Sequence, residues 1–363
     1  MVKDLKEHLN EAELKAQRSE KRMACLEHSL SAAQDQKRTT AVLLETRTAE
    51  LRDAQSYLNM VDDVPDREVL RIIEKLNSMI FQTAATASDT FQGRYQNPQS
   101  PEAEETGRQL VERSGFSTQL RTALRSVNHN DDAILVQMAL QGAMGSYTGF
   151  LCITWDFGAG KGFESVYARV RKQEPQSVSG RWRAMSRTHL KVLLGDEQEL
   201  QLWGEAGLAG KLTDILLICG VPGTRRRLLA EVRSTFSESL HEIVRLALHF
   251  QRVTGESIVS RDLSAVVAKP GDLFDPERMV DEWADPKSIY HVVQSPPVLC
   301  TTQLGLLRQE TQHCTTSGGA GGTSLVVSST LLLKPHVILV TMLDDLKQPQ
   351  EGGRAHASGD ALR

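Results

Sequence analysis

The sequence predicts a mainly α-helical protein with an N-terminal coiled coil, a multi-helix globular domain and a short, partly β C-terminal segment. Three observations carry that expectation. A 3-4 spacing of mostly apolar residues runs unbroken from Leu5 to Leu58. Wider apolar faces at helical spacing then recur to about residue 256. Aromatic residues make up only 5% of the chain, so aliphatic side chains and alanine must fill the core, which favours helices over a β-sandwich.

Residues 1–60 form the predicted coiled coil. Twelve of its sixteen seam positions are apolar, with Leu5, Leu9, Met23, Leu26, Leu30, Leu44, Leu51 and Leu58 as the large ones. No Pro or Gly interrupts it before Pro65, and its other faces are rich in Glu, Lys, Arg and Gln. Lys37, Thr40 and Arg47 are polar seam residues, a device that fixes register or partner at a cost in stability.

Residues 62–256 are the expected α-helical domain of seven or eight helices. Pro65 ends the coil, and Val69, Ile72, Ile73, Leu76, Ile80, Ala84 and Ala87 mark a wide buried face. One helix is expected over 105–127. The next spans Ala133 to Trp155, 23 residues without a charge. Its Gly145-x-x-x-Gly149 spacing is one used by membrane helix pairs, but Gln137, Gln141, Ser146 and Thr148 and the acidic flanks argue for a buried core helix. Further helices are expected over 162–173, 176–194 and 197–219. The Gly220-Val221-Pro222-Gly223 stop follows, and a capping box at Thr235 to Glu238 predicts a start ahead of Leu240, with Gly255 closing that helix.

Residues 257–347 read as an irregular segment with short strands near 298–307, 324–333 and 336–343, the first two separated by the flexible linker SGGAGG (317–322). Residues 348–363 read as a disordered tail.

Composition excludes several classes. The net charge of −4 gives no global attraction to nucleic acid or anionic lipid. The five cysteines are scattered, with no Cys-x-x-Cys pair, so neither a disulfide framework nor a zinc site is predicted; Cys300, His313 and Cys314 lack ligand spacing. The charged N-terminus lacks an apolar signal core. A cytoplasmic, non-secreted protein without a membrane span is expected, with no metal or cofactor.

Residues 156–163, DFGAGKGF, imitate nucleotide sites and fail the tests for both. A P-loop needs glycine five positions before Gly160 and Ser or Thr after Lys161; the chain has Trp155 and Gly162. A kinase catalytic loop needs Asn five residues after its Asp, and Val136 follows Asp131 at that distance. His241-Glu242 opens like a zincin helix, but the second histidine position is Arg245. No catalytic residue is predicted.

A basic region is the remaining site candidate. Arg169, Arg171, Lys172, Arg181, Arg183, Arg187 and Lys191 crowd together against one acid, Glu174, with Tyr167 and Trp182 among them. Guanidinium groups suit phosphate, and a neighbouring aromatic can stack on a base or sit at a lipid headgroup. A second cluster is Arg225, Arg226, Arg227 and Arg233. The competing reading is a solvated, salt-bridged face with Trp182 in the core. Ser100-Pro101 and Ser295-Pro296 offer proline-directed phosphorylation sites.

The stretches VLRIIEKLNSMIFQTAATASDTF (69–91), DDAILVQMALQGAM (131–144), QSVSGRWRAMSRTHLKVLL (176–194) and FDPERMVDEW (274–283) resemble a group of proteins predicted from mushroom-forming fungi. That resemblance implies a coiled coil ahead of a helical region and brings no activity or site with it.

The expectation for function is a non-catalytic, self-associating adaptor or scaffold, its coil pairing with a second copy or a coiled-coil partner and its helical body serving as a docking surface. The alternatives are a phosphate-binding module for lipid headgroups or RNA acting through residues 169–191, and an enzyme with a site assembled from dispersed residues.

Overall fold

The computed structural model describes residues 2–58, 62, 64–96, 100–155, 162–194, 197–284, 295–315 and 323–346. It is mainly helical and separates into two compact units, residues 1–60 and 61–363. The DFGAGK segment, the glycine-rich linker and the tail lie outside the described residues.

The first unit is a single helix, α1 (Val2–Leu58). At 1.5 Å per residue it is about 85 Å long. Every described side chain from Glu11 to Gln55 is exposed except half-buried Thr48. The large seam residues are open to solvent, Met23 at 60%, Leu26 at 62% and Leu44 at 67%. The side chains of Leu5, Leu9 and Leu58 lie outside the described set.

The second unit begins with α2 (Asp66–Thr90), whose Val69, Ile73, Leu76, Ile80, Ala84 and Ala87 are fully buried along the predicted face. The single helix expected over 105–127 is two, α3 (Pro101–Ser114) and α4 (Thr118–Ser126). Gly115 ends α3 in the left-handed region at φ 62°, and Ser117 accepts the Leu120 N–H to start α4. Ser100 is the N-cap of α3, accepting from the Ala103 N–H at 3.1 Å, with Pro101 next to it at the first helical position.

The uncharged stretch is α5 (Ile134–Ile153), the central helix of the unit, packed against α2 and the strands described below. No helix among the described residues is long and apolar enough to cross a membrane. Its glycines serve the fold instead. A Cβ on Gly142 would lie 2.9 Å from the Cys300 Cβ, and one on Gly149 2.6 Å from a Val267 methyl. These glycines leave room for Cys300 and Val267 to pack closely on the helix.

Four helices complete this part: α6 (Gly162–Gln173), α7 (Gln176–Leu194), α8 (Glu197–Ile218) and α9 (Arg225–Arg252). The start of α9 differs from expectation. Thr224 is its N-cap, and Thr235 to Glu238 lie within the helix, where Phe236 and Leu240 are buried. Gly255 sits in a π-helical turn, Val253–Ser257.

The C-terminal segment is more regular than expected. One sheet has the order β1-β4-β5 and is antiparallel, from β1 (Asp262–Val266), β4 (Gly305–Thr315) and β5 (Thr323–Leu333); the last two strands have 11 residues each. The other has the order β2-β6-β3, from β2 (Val280–Asp281), β3 (Val298–Gln303) and β6 (His336–Leu339), followed by the short α10 (Met342–Asp345). Leu299, Cys300, Leu304, Leu306 and Ile338 belong to the same hydrophobic core as α2, α5, α8 and α9. The strands are therefore part of the helical body's core.

Asn77 of α2 fixes the join between β3 and β4. Its side-chain amide donates to the Leu304 carbonyl at 3.0 Å, and its carbonyl accepts the Leu304 N–H at 2.8 Å, all buried. Asn77→Leu is expected to cost about 2 kcal/mol or more, because two buried backbone groups lose their partners. Urea unfolding of the variant beside wild type measures it.

Candidate functional site

The basic region builds a site from both halves of the second unit. Helix α7 carries Arg183 and Arg187 one turn apart, on the side facing residues 254–262. Gly180 allows that approach, since a Cβ there would overlap the Val259 carbonyl oxygen at 2.0 Å. Arg183 is only 4% exposed. It forms an ion pair with Asp262 of β1, bonds to the Tyr167 hydroxyl oxygen at 3.2 Å and donates to the carbonyls of Ile258 and Arg261.

Asp262 is the hub. Besides Arg183, its carboxylate accepts from the Tyr167 hydroxyl at 2.6 Å, from Arg171 at 3.1 Å and from the Gln176 amide at 3.3 Å. Arg171 also donates to Gln309 Oε1 of β4 at 3.0 Å, and the Gln176 side-chain oxygen accepts the Thr311 N–H at 3.2 Å. Helices α6 and α7 are thus tied to β1 and β4 through polar groups. Burial pushes the Tyr167 pKa up in spite of the nearby arginines, so the phenol keeps its proton and donates it to Asp262.

Aromatic rings flank this network. Tyr167 lies 5.0 Å from Trp155 and stacks on Trp182 at 6.1 Å with an interplanar angle of 2°. The Arg187 guanidinium lies over the Trp155 ring, 4.9 Å from its centroid. A cavity of about 550 Å³ opens here, with four cations (Arg171, Lys172, Arg183, Arg187) and two carboxylates (Glu164, Asp262) on its walls. Ser264 and Ser329 add hydroxyls from the sheet.

The seven predicted basic residues therefore divide. Four line this cavity; Arg169 and Arg181 do not, and the Lys191 side chain lies outside the described residues. Arg183 is buried in an ion pair, not offered to solvent, because burying a guanidinium requires a carboxylate and several acceptors around it. The second cluster stays apart: Arg225 pairs with Asp214 at 2.7 Å. Sequence reasoning missed Asp262, Gln309 and Trp155. Asp262 lies 79 positions from Arg183, and its only local mark is a carboxylate opening an otherwise strand-like run, Asp262-Leu263-Ser264-Ala265-Val266.

No family model, curated protein or solved structure matches the chain.

Another cavity, about 660 Å³, lies between α5, α8 and the segments 267–270 and 299–301. Its described walls include Phe116, Tyr147, Phe150 and Val267, with Lys211 and Lys269 and no carboxylate. The Tyr147 hydroxyl is buried, has no hydrogen-bond partner among the described residues and rests in the notch left by Gly207. Among the described residues no group of three His, Cys, Asp or Glu is placed to hold a metal ion. Cys300 is buried on β3; the His313 and Cys314 side chains are outside the described set.

Proposed function

We propose that the chain is a non-catalytic, self-associating adaptor in which α1 pairs with α1 of a second copy, leaving the helical body as a docking surface. The observation that carries this reading is the seam itself. Leu26, Leu30, Leu44 and Leu51 lie 58–67% exposed along one phase of a 57-residue helix. An apolar stripe of that length is costly in water and is covered best by an equal stripe of the same period.

Charge supports a second copy in parallel register as the occupant. With Leu9, Met23, Leu30, Leu44 and Leu51 at heptad position a, the charge pattern lies in the N-terminal part of the coil, where position g holds His8, Lys15 and Arg22 and position e holds Glu13, Glu20 and Glu27. In a parallel, in-register pair each g residue faces the e residue five positions on. Lys15 then meets Glu20 of the other copy, and Arg22 meets Glu27. All four are exposed in the single chain.

Light scattering is expected to give twice the 40.2 kDa of one chain, and the monomer mass for residues 62–363 or for Leu26→Asp with Leu30→Asp. Orientation is read separately. With Cys25→Ser and Cys314→Ser removing the exposed thiol of Cys25 and the thiol of Cys314, Ala33→Cys places a thiol at position d, where copies in parallel register oxidise to a disulfide. A monomeric full chain sinks the proposal; a dimer that fails to cross-link sinks the parallel register.

A further inference from the structure

The cavity beside Asp262 contains a cation with no hydrogen-bonded counter-ion among the described residues. Asp262 is saturated by Arg171, Arg183, Tyr167 and Gln176. Arg187, on the same wall, has no hydrogen bond or ion pair among the described residues and lies over the Trp155 ring. The Gly255 backbone closes over it, since a Cβ there would fall 2.5 Å from the guanidinium carbon. Burial and the neighbouring Arg183 push its pKa down to about 9, while Glu256, Glu164 and Tyr167 act the other way. It remains a cation at neutral pH, in an environment that disfavours one. Lys172, at the exposed rim, likewise lacks a counter-ion among the described residues.

We infer that this cavity is a binding pocket for a small phosphate-bearing molecule, with Arg187 donating to the phosphate oxygens and Lys172 closing from the rim. The inference goes beyond self-association and does not depend on it. The guanidinium lies over Trp155, has the Gly255 backbone close by and lines the cavity, and a guanidinium there suits a phosphate or carboxylate edge. The four cations on the walls outnumber the two carboxylates by two, a balance that suits a phosphate dianion better than a single carboxylate. Size decides against a polymer. A volume of about 550 Å³ lies in the range of small-molecule pockets, and Arg169 and Arg181 fall outside it, so the described basic residues of this region do not all converge on one site. The Trp155–Tyr167 pair supplies an apolar wall for the body of the ligand.

The test uses the full chain, inorganic phosphate and phenyl phosphate, with ionic strength held constant by sodium chloride. Both probes are expected to raise the melting temperature in a concentration-dependent way, phenyl phosphate the more. Arg187→Gln is expected to weaken either probe about 10- to 100-fold, the loss for a hydrogen bond to a charged group. Arg169→Gln, outside the cavity, retains wild-type affinity. One readout separates a ligand site from a structural arginine. In phosphate-free buffer Arg187→Gln melts no lower than wild type, because a buried cation beside Arg183 has been removed. Co-sedimentation with vesicles containing phosphatidylinositol phosphate, lost in Arg187→Gln, would support the pocket and name a lipid headgroup as the source of the phosphate. The inference is overturned if neither the probes nor the vesicles bind, if the variant responds as wild type does, or if it melts lower without phosphate.

Discussion

Asp262→Ala is expected to destabilise the second unit by about 3–5 kcal/mol, the cost of breaking a buried ion pair by removing one member. The carboxylate holds Arg183, which is 4% exposed, and Arg171, and it accepts from Tyr167 and Gln176. Its removal leaves a buried guanidinium facing a second cation across an empty acceptor site. Total stabilities of about 5–15 kcal/mol are usual, so the variant should unfold at much lower urea or aggregate on expression. Asp262→Asn keeps the shape and one acceptor oxygen and should fall between. A second experiment separates charge burial from simple loss of packing. Arg183→Met combined with Asp262→Leu removes both charges and should recover much of the loss, since buried pairs are often replaceable by apolar residues of similar volume. If the double variant is worse than Asp262→Ala, Asp262 acts chiefly through Tyr167 and Gln176 and not as the counter-ion of Arg183.

What could be read from the sequence follows the range of the forces involved. The continuous helix to Leu58, the face of α2 and the buried α5 were legible because helical periodicity is written within a few turns. The α3–α4 break at Gly115 to Ser117 was also written locally, as a left-handed glycine and a capping serine, yet apolar spacing on both sides masked it. At Thr235 the reverse happened. A sequence with capping spacing lies inside α9, because Thr224 already caps the helix and Phe236 is buried against the core. The strand-like runs were visible one at a time, but their length and order depend on partners such as Asp262↔Gln309 and Arg308↔Thr330, which no local pattern records. The candidate site shows the same division. Its arginines cluster in sequence, whereas the carboxylate that sorts them into buried and available ones comes from a strand far along the chain.

Substitution of the α5 glycines is expected to reveal which contacts hold the C-terminal strands to the helical core, and Gly142→Val should be the most damaging, costing about 3 kcal/mol or more by overpacking. Distance alone would rank Gly149 first, since its added Cβ would lie 2.6 Å from Val267 Cγ2 against 2.9 Å from Cys300 Cβ at Gly142. The mobility of the opposing atom reverses that order. A valine methyl moves by rotation about χ1, whereas a Cβ is fixed by the backbone, and the Thr301 carbonyl lies 3.8 Å from the same point. Relief at Gly142 therefore requires β3 to move off the helix, taking Leu299 and Leu304 out of the core. Against this, replacing a helical glycine by alanine stabilises by about 1 kcal/mol where space permits. Gly149→Ala should therefore be only mildly destabilising, and Val267→Ala in the same chain should restore it. The cycle of Gly149→Ala and Val267→Ala, measured by urea unfolding, should show a favourable coupling, while Cys300→Ala should leave Gly142→Val unrescued because the opposing Cβ remains. Rescue of Gly142→Val by Cys300→Ala would place the conflict at the thiol and refute the backbone-approach account of how this helix receives the sheet.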